Sequence, residues 1–196
     1  GTDAIQMSGS VGLAPVGNVM GPGSNLSPGR VQADGTFQID NVPLGRYTVD
    51  VMSGPAGSYV KSITGGGADL LANGLDLSQP QALPPLEILI SSKAGTVEGI
   101  VKDGDALRQG AFVTLLPEPL QNQPQRLRRS ASTDSSGHFS MKGVPPGKYR
   151  VFAWEENFPV RIIEAADLTP YESYGVSVSL DEGDQEQVEL QLAKPQ

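Results

Sequence analysis

Cysteine is absent from this chain of 196 residues, and histidine occurs only once, as His138. The absence of cysteine excludes disulfides, thiolate metal sites and a cysteine nucleophile. A hydrolytic zinc site usually needs histidine ligands, and a Ser-His-Asp triad would depend on His138 alone. No Gly-x-Ser-x-Gly motif accompanies this histidine. We therefore predict that the protein is not an enzyme and has neither a metal nor a cofactor, with His138 as an exposed turn residue.

Positive charge is also scarce, because 14 Lys and Arg residues stand against 22 Asp and Glu residues and leave a net charge of −8. An acidic chain cannot neutralise a row of phosphates, so nucleic acid is excluded as a partner. The one basic cluster, Arg126, Arg128 and Arg129, is either a solvated loop or a contact for an acidic partner. The acidic groups at 103–105 and 181–184 are either solvated turns or weak calcium sites.

Long apolar runs are missing too. No run approaches the ~20 residues that cross a bilayer, so no membrane span is predicted. Glycine (24) and proline (16), by contrast, make up about a fifth of the chain, above their average usage. They follow neither a collagen period nor a low-complexity repeat. Turns between many short strands are their natural place, which predicts an all-β protein.

The most informative feature is an internal repeat. The segment Asp34–Val51 matches Ser136–Ala153, 102 positions later, and the same shift places Leu86–Ile90 on Val188–Leu192. Because one shift aligns two separate motifs, the repeating unit is a whole domain. The motif residues that match are Gly35, Phe37, Pro43, Gly45 and Tyr47 in the first copy, and Gly137, Phe139, Pro145, Gly147 and Tyr149 in the second.

Each part of the repeated motif has a physical interpretation. The glycines that end Ala33–Gly35 and Asp134–Gly137 supply the positive φ of a hairpin turn. The Phe-x-Ile and Phe-x-Met segments alternate apolar with polar residues, as half-buried strands do. Val-Pro-x-Gly ends the strand because proline cannot donate to a ladder, and the Tyr-x-Val segment that follows resumes the alternation. The motif predicts a strand, a tight turn and a second strand, as a hairpin or Greek-key unit.

Further strands are predicted between the motifs. About seven short strands in about 100 residues are typical of a β-sandwich. We therefore predict two domains, at residues 1–91 and 92–196, and a single helical turn at 165–171 ended by Pro170. The other predicted strands are 95–101, 112–116, 161–164, 175–180 and 187–192 in the second domain, and 59–63 and 86–90 in the first.

The pattern Asp-Gly-x-Phe…Val-Pro-Pro-Gly-x-Tyr-x-Val resembles the signature of carboxypeptidase regulatory-like domains, relatives of the transthyretin-like and collagen-adhesin B-type folds. The resemblance covers nearly all of residues 30–196. It implies two tandem Greek-key β-sandwich domains of the prealbumin-like type, from an exported bacterial protein that is extracellular or at the cell surface. Such domains decorate proteases, transporters, adhesins and surface fibres, so the resemblance implies a fold more than one function.

One strand of the first domain has no counterpart. The 102-residue shift places the partner of 95–101 before Gly1, so the first domain lacks its opening strand in this chain, and residues 1–33 are expected to be irregular, with a long loop at 20–29. Two interpretations stay open. The edge is either a cut that the domain tolerates, or a site where a strand from another chain adds. Copies of the same chain that added in this way would form polymers.

Four aromatic residues fall within one segment of the second domain, and they are Trp154, Phe158, Tyr171 and Tyr174. Alternation places Phe152 and Trp154 on the same face of their strand. The rings either pack beneath the loop at 171–174 as a satellite core, or form a patch that binds carbohydrate or peptide. The sequence thus predicts a structural or interaction module whose partners are other protein chains or a polysaccharide.

Overall fold

The computed structural model describes residues 9–16, 26–52, 54–55, 57–79, 85–119, 127–155 and 165–194. The chain divides into two compact units, Gly1–Ser92 and Lys93–Gln196, which are taken separately below. Strands that pack as layered sheets make up most of the described residues. The predicted all-β sandwich fold is confirmed.

The first unit contains seven described strands and one short helix, α1 (Leu70–Asn73). The strands are β1 (Ser10–Pro15), β2 (Gly29–Arg30), β3 (Arg46–Met52), β4 (Tyr59–Gly65), β5 (Ala68–Asp69), β6 (Leu75–Asp76) and β7 (Leu86–Ser91). They form one sheet with the order β2-β1-β3-β6 and a second sheet with the order β5-β4-β7. Both sheets supply side chains to one apolar core. Its buried members are Val11, Tyr47, Val49, Ile63, Leu70, Leu75 and Leu77.

The expectation of irregular chain before residue 34 was wrong for β1. This strand pairs with β3 over six positions, from Ser10 opposite Met52 to Pro15 opposite Tyr47. Val11 is 2% exposed because β1 contributes to the core. The 102-residue shift would have found this strand, since it maps residues 112–117 of the second unit onto 10–15.

The strand predicted at Phe37–Ile39 does not form in the first unit, because no described strand lies beside it to complete a ladder. The alternation that suggested it is nevertheless present. Phe37 and Ile39 are half-buried and pack against the core, whereas Gln38 between them is exposed. The side chains therefore follow the predicted pattern without the backbone pairing.

The second unit contains eight described strands. They are β8 (Gly95–Asp103), β9 (Ala106–Leu107), β10 (Phe112–Pro117), β11 (Arg129–Ser132), β12 (His138–Val144), β13 (Gly147–Trp154), β14 (Val176–Leu180) and β15 (Gln185–Gln191). One sheet has the order β11-β10-β13-β14, and the other has the order β12-β8-β15 with β9 attached to β8. The central residues of the core between them, among them Val97, Val113, Val151 and Leu190, have no exposed surface.

The Val-Pro-x-Gly motif carries the chain from one sheet to the other. Strand β12 ends at Val144 and β13 begins at Gly147, yet the two strands belong to different sheets. The hydroxyl of Tyr149 donates to the carbonyl oxygen of Pro145 at 2.8 Å, and burial raises the pKa of Tyr149 to about 12. A tyrosine that ties its ring to the backbone a few residues upstream also fixes a corner in immunoglobulin-type sandwiches.

The same corner occurs in the first unit. The hydroxyl of Tyr47 donates to the carbonyl oxygen of Pro43, also at 2.8 Å, and the Tyr47 ring is 5% exposed. Pro43 itself is exposed and Gly45 half-buried, as expected of a turn at the surface. The repeated Pro-x-Gly-x-Tyr residues thus build a corner in both units rather than a hairpin.

The turn at Gly137 joins β11 and β12, which belong to different sheets, so the prediction that it closes a hairpin was wrong. In the first unit no strand follows the turn at Gly35 before β3. The turn geometry itself is as predicted. Gly35 and Gly137 have φ values of +83° and +73°, and each donates its N–H to the carbonyl oxygen of the residue three positions earlier.

The side chain of Asp134 also stabilises the turn at Gly137. It accepts hydrogen bonds from the N–H groups of His138 and Ser136, and these hydrogen bonds lower its pKa.

The prediction of a helical turn at 165–171 was correct, but the helix is longer than predicted. A 3₁₀ helix runs from Ala165 to Tyr174 and contains Pro170, which does not end it. The strand predicted at 161–164 lies outside the described residues, as does most of the loop predicted at 20–29. No structural statement is therefore made on either segment.

Truncating Tyr149 tests the corner. We expect Tyr149→Ala to lower the free energy of unfolding of the second unit by about 3–5 kcal/mol, because it removes a buried ring. Tyr149→Phe keeps the ring and loses only the hydrogen bond to Pro145, so it should cost about 1 kcal/mol. Chemical denaturation followed by Trp154 fluorescence measures both. An unchanged midpoint for Tyr149→Ala would contradict the assignment of this ring to the core.

Candidate functional site

The predicted aromatic segment forms a cluster of its own in the second unit. Trp154 is 1% exposed, and its Nε1–H donates to Oγ1 of Thr114 at 2.8 Å. Its ring stacks on Phe152 with centroids 5.5 Å apart and meets Tyr171 edge-on at 5.1 Å. The buried members of this cluster are Leu116, Phe152, Trp154, Leu168 and Ala193.

The structure therefore brings three of the four predicted aromatic residues together and leaves two partly accessible. Tyr171 and Tyr174 are half-buried against the cluster, whereas the Trp154 ring is covered and offers no exposed face. Phe158 lies outside the described residues. A ligand patch in this segment would present Tyr171 and Tyr174 to solvent, and it stays a prediction.

A groove of about 770 Å³ lies on the second unit, across β12, β8 and β15. The side chains that line it include Glu98, Ile100, His138, Ser140, Gln187 and Glu189. Within the groove the Ser140 hydroxyl donates to Glu98 at 2.9 Å, and Glu189 pairs with the ammonium of neighbouring Lys102 at 2.7 Å. His138 is exposed there, as predicted. Sequence reasoning did not point to this groove, because its side chains come from three strands that are distant in the chain.

The acidic turns make local contacts. Asp103 pairs with the Lys194 ammonium at 2.7 Å, and a carboxylate oxygen of Asp184 accepts the N–H of Asp181 at 2.8 Å. Within the ranges that the structure describes, no three His, Cys, Asp or Glu side chains cluster in a way suited to a metal ion.

Strand β8 lies between two neighbours in the second unit, antiparallel to β12 and parallel to β15. Beyond the end of β15, the N–H of Leu192 donates to the carbonyl oxygen of Lys102 at 2.8 Å. Because the direction of backbone groups alternates along a strand, Val188 and Leu190 also present their N–H groups to β8. This edge of β15 is therefore the one that β8 occupies.

Strand β7 of the first unit corresponds to β15. Its described neighbour is β4, which pairs with the edge opposite to the one that β8 occupies on β15. Gly65 and Ala68 close a two-residue turn between β4 and β5, so their backbone groups face each other. By alternation, Thr64 faces β7, where it lies opposite Glu87. The backbone groups of β7 that point away from β4 are those of Leu86, Ile88 and Ile90.

These three residues precede Val188, Leu190 and Leu192 by 102 positions. The edge that they present is thus the edge that β8 covers in the second unit. No described strand pairs with this edge of β7 or with residues 36–40, which correspond to β12. We name the space between this edge and residues 36–40 the strand site.

Burial differs between the two units around the strand site. Phe139 is 5% exposed and Leu190 is 0% exposed beside β8. Their counterparts Phe37 and Ile88 are only half-buried among the described residues. None of the described residues thus covers the part of the first unit's core that β8 covers in the second. The 102-residue shift indicated that a strand was missing. It could not indicate that β4 pairs with the edge of β7 that faces away from the strand site.

The family match follows the architecture of the second unit. A family model described as the carboxypeptidase regulatory-like domain matches residues 96–193, half of the chain. The chain belongs to this family. The resemblance seen in the repeated motif is therefore confirmed, and the regulatory-like match begins within β8 and ends just after β15.

Solved structures match this regulatory-like chain only at low similarity. A DUF3823 family protein from Parabacteroides merdae is 17% identical, with a TM-score of 0.34 and coverage of 52% of this chain and 46% of the other. The minor pilin of Streptococcus agalactiae is 15% identical, with a TM-score of 0.35 and coverage of 96% and 84%. A streptococcal ancillary pilin is 16% identical, with a TM-score of 0.35 and coverage of 96% and 58%. At these scores, the likenesses carry no argument on function.

No curated protein matches the chain. None of the helices in the described part of the chain is long and apolar enough to cross a membrane.

Proposed function

We propose that the chain is a non-catalytic, exported interaction module that joins other polypeptide chains by accepting a β-strand at the strand site. The single observation that carries the proposal is the edge of β7 that faces away from β4, together with segment 36–40, with which no described strand pairs. A strand added there would gain backbone hydrogen bonds on both sides, as β8 does in the second unit. The extracellular location is part of the proposal and rests on the family resemblance.

The other described edges of the first unit are poorer acceptors. Strands β2, β5 and β6 are two residues long, and short edges limit strand addition. Strand β7 has six residues and a single charge, at Glu87, and Leu89 on its outer face is 54% exposed. Long, apolar edges of this kind readily pair with another strand.

Copies of this chain are one source of the added strand. Such a contact would be head-to-tail, would not close, and would grow into fibres at a surface. A different exported chain is another source. In both cases the module acts as a structural connector rather than as a catalyst.

A peptide with the sequence Gly95–Asp103 tests strand addition. We expect one peptide to bind per chain in calorimetry. Ile90→Pro should abolish binding because it removes an N–H that faces the strand site and leaves the ladder between β4 and β7 intact. Ile90→Ala truncates the same side chain but keeps the N–H, so it is the matched control and should still bind. Absence of binding to the wild-type chain would contradict the proposal.

A second candidate function is recognition of a polysaccharide or peptide by the second unit. It is favoured by the groove on the second unit, whose carboxylate, amide and imidazole groups suit sugar hydroxyls. The predicted aromatic patch supplies an alternative surface. Binding of the chain and two variants to a glycan array separates the two surfaces. If Glu98→Ala loses glycan binding, the groove is the site, and if Tyr174→Ala loses it, the aromatic patch is the site. Absence of glycan binding by the wild-type chain would count against glycan recognition.

A further inference from the structure

We infer that the second unit withstands tension along the chain, because a pull between its two ends loads the ladder between β8 and β15 in shear. The inference concerns a mechanical function of the second unit and does not depend on the strand site. It follows from the places of β8 and β15 in the unit, from the direction in which they pair, and from the contacts at both ends of their ladder.

Strands β8 and β15 are the ones through which tension enters and leaves the second unit. The first unit ends at Ser92, and β8 begins shortly afterwards at Gly95. Strand β15 is the last described strand of the second unit and ends at Gln191. A pull on the first unit therefore reaches β8 first, and a pull on the residues that follow Gln191 reaches β15 first.

The direction of pairing places these two loaded points at opposite ends of one ladder. The strands run parallel and pair over seven positions, from Thr96 opposite Gln185 to Lys102 opposite Gln191. Tension between the start of β8 and the end of β15 thus drives the two strands past each other. Hydrogen bonds are evenly spaced along a parallel ladder, so they share this load.

An antiparallel pair of terminal strands would respond differently. Both loaded points would then lie at the same end of the ladder, and the hydrogen bonds would break one after another from that end. All the other ladders between described strands are antiparallel. The parallel ladder therefore occurs at the one place in the second unit where it can carry a load between the ends.

Backbone contacts extend the ladder where β8 begins. The N–H of Thr96 donates to the carbonyl oxygen of Asp184 at 2.8 Å, and the N–H of Gly183 donates to that of Lys93 at 3.0 Å. These bonds join the residues that enter β8 to the turn that precedes β15. A pull that arrives from the first unit consequently meets paired backbone before it reaches the seven pairs of the ladder.

The chain that leaves β15 is tied to both sheets of the second unit. The N–H of Leu192 donates to β8, and the N–H of Ala193 donates to the carbonyl oxygen of Ala153 in β13 at 2.7 Å. The Lys194 ammonium pairs with Asp103, just beyond the ladder, at 2.7 Å. A surface ion pair adds little to stability at equilibrium. Sliding of β8 towards its start, however, would move Asp103 away from Lys194, so this pair opposes the movement.

Buried side chains of both strands also oppose sliding. Val97 and Val101 in β8 and Leu190 in β15 have no exposed surface. Because side chains alternate between the two faces of a strand, a shift of one residue would turn outward residues of β8 such as Glu98 towards the core. The strands therefore gain no new pairing by a small slip, and the ladder must break as a whole before they separate.

Single-molecule force spectroscopy in two attachment geometries tests the inference on the full chain. Since the chain has no cysteine, thiol-linked handles attach only where cysteine is introduced. Ser92→Cys with Gln196→Cys places the handles at the two ends of the second unit and loads the ladder in shear. Ser92→Cys with Asp181→Cys places both handles at the end of the ladder where Gly183 contacts Lys93, and opens the ladder from there. Ser92 and Asp181 are exposed, which suits them to attachment.

We expect the second unit to stay folded at least about tenfold longer in the first geometry than in the second at the same constant force, since forced unfolding is governed by the unfolding rate. The two variants should have the same midpoint of chemical denaturation, because the ladder is unaltered in both. Equal lifetimes, or a shorter lifetime in the first geometry, would overturn the inference.

A matched pair of substitutions tests whether the ladder itself bears the load. Val188→Pro removes an N–H that faces β8, whereas Val188→Ala truncates the same side chain and keeps the N–H. We expect the ratio of the lifetimes in the two geometries to fall in Val188→Pro and to persist in Val188→Ala, because a general loss of stability shortens both lifetimes. A ratio that Val188→Pro leaves unchanged would overturn the assignment of the load to this ladder. The comparison of geometries in the unaltered ladder decides the inference whether or not Val188→Pro folds.

Discussion

A strand in the middle of a sheet must hydrogen-bond on both edges and cover the core with alternate side chains, and β8 meets both requirements in the second unit. Its ladders with β12 and β15 hold three strands together. Its inward residues, Val97 and Val101, complete the core and have no exposed surface themselves. The rest of this unit depends on that arrangement, because without β8 the flanking strands would have no common partner.

The first unit shows what the same architecture looks like without a described counterpart of β8. The corner at Tyr47 is intact, and β1, β3 and β6 pair as β10, β13 and β14 do. The segment 36–40, by contrast, keeps its alternating side chains but no ladder. Strand β4 pairs with the far edge of β7, and no described strand pairs with the other edge. The open edge links this unit's fold to the function proposed for it.

The repeated motif carried most of the predictable information. Pro145 and Tyr149 could be assigned to a turn and a core strand because proline cannot donate to a ladder and tyrosine alternates with polar neighbours. The motif could not reveal that the turn crosses between sheets, since a hairpin and a sheet-to-sheet corner need the same local residues. That distinction depends on pairings between strands that are far apart in the chain.

The candidate sites were harder to predict for the same reason. Trp154 could be placed beneath the segment at 171–174 by alternation, but its hydrogen bond to Thr114 joins residues 40 positions apart. The groove and the strand site also depend on long-range pairing. The shift of 102 residues indicated that a strand was missing, whereas the open edge of β7 followed only from the turn at Gly65 and the register of β4.

Hydrogen exchange of backbone amides tests the central claim most directly, since β7 and β15 supply a matched comparison within one molecule. The N–H groups of Ile88 and Ile90 face the strand site, and those of Leu190 and Leu192 face β8. If the site is open, the first pair exchanges much faster than the second under native conditions. Equal protection of the two pairs would mean that the edge of β7 is already covered, and it would contradict the account.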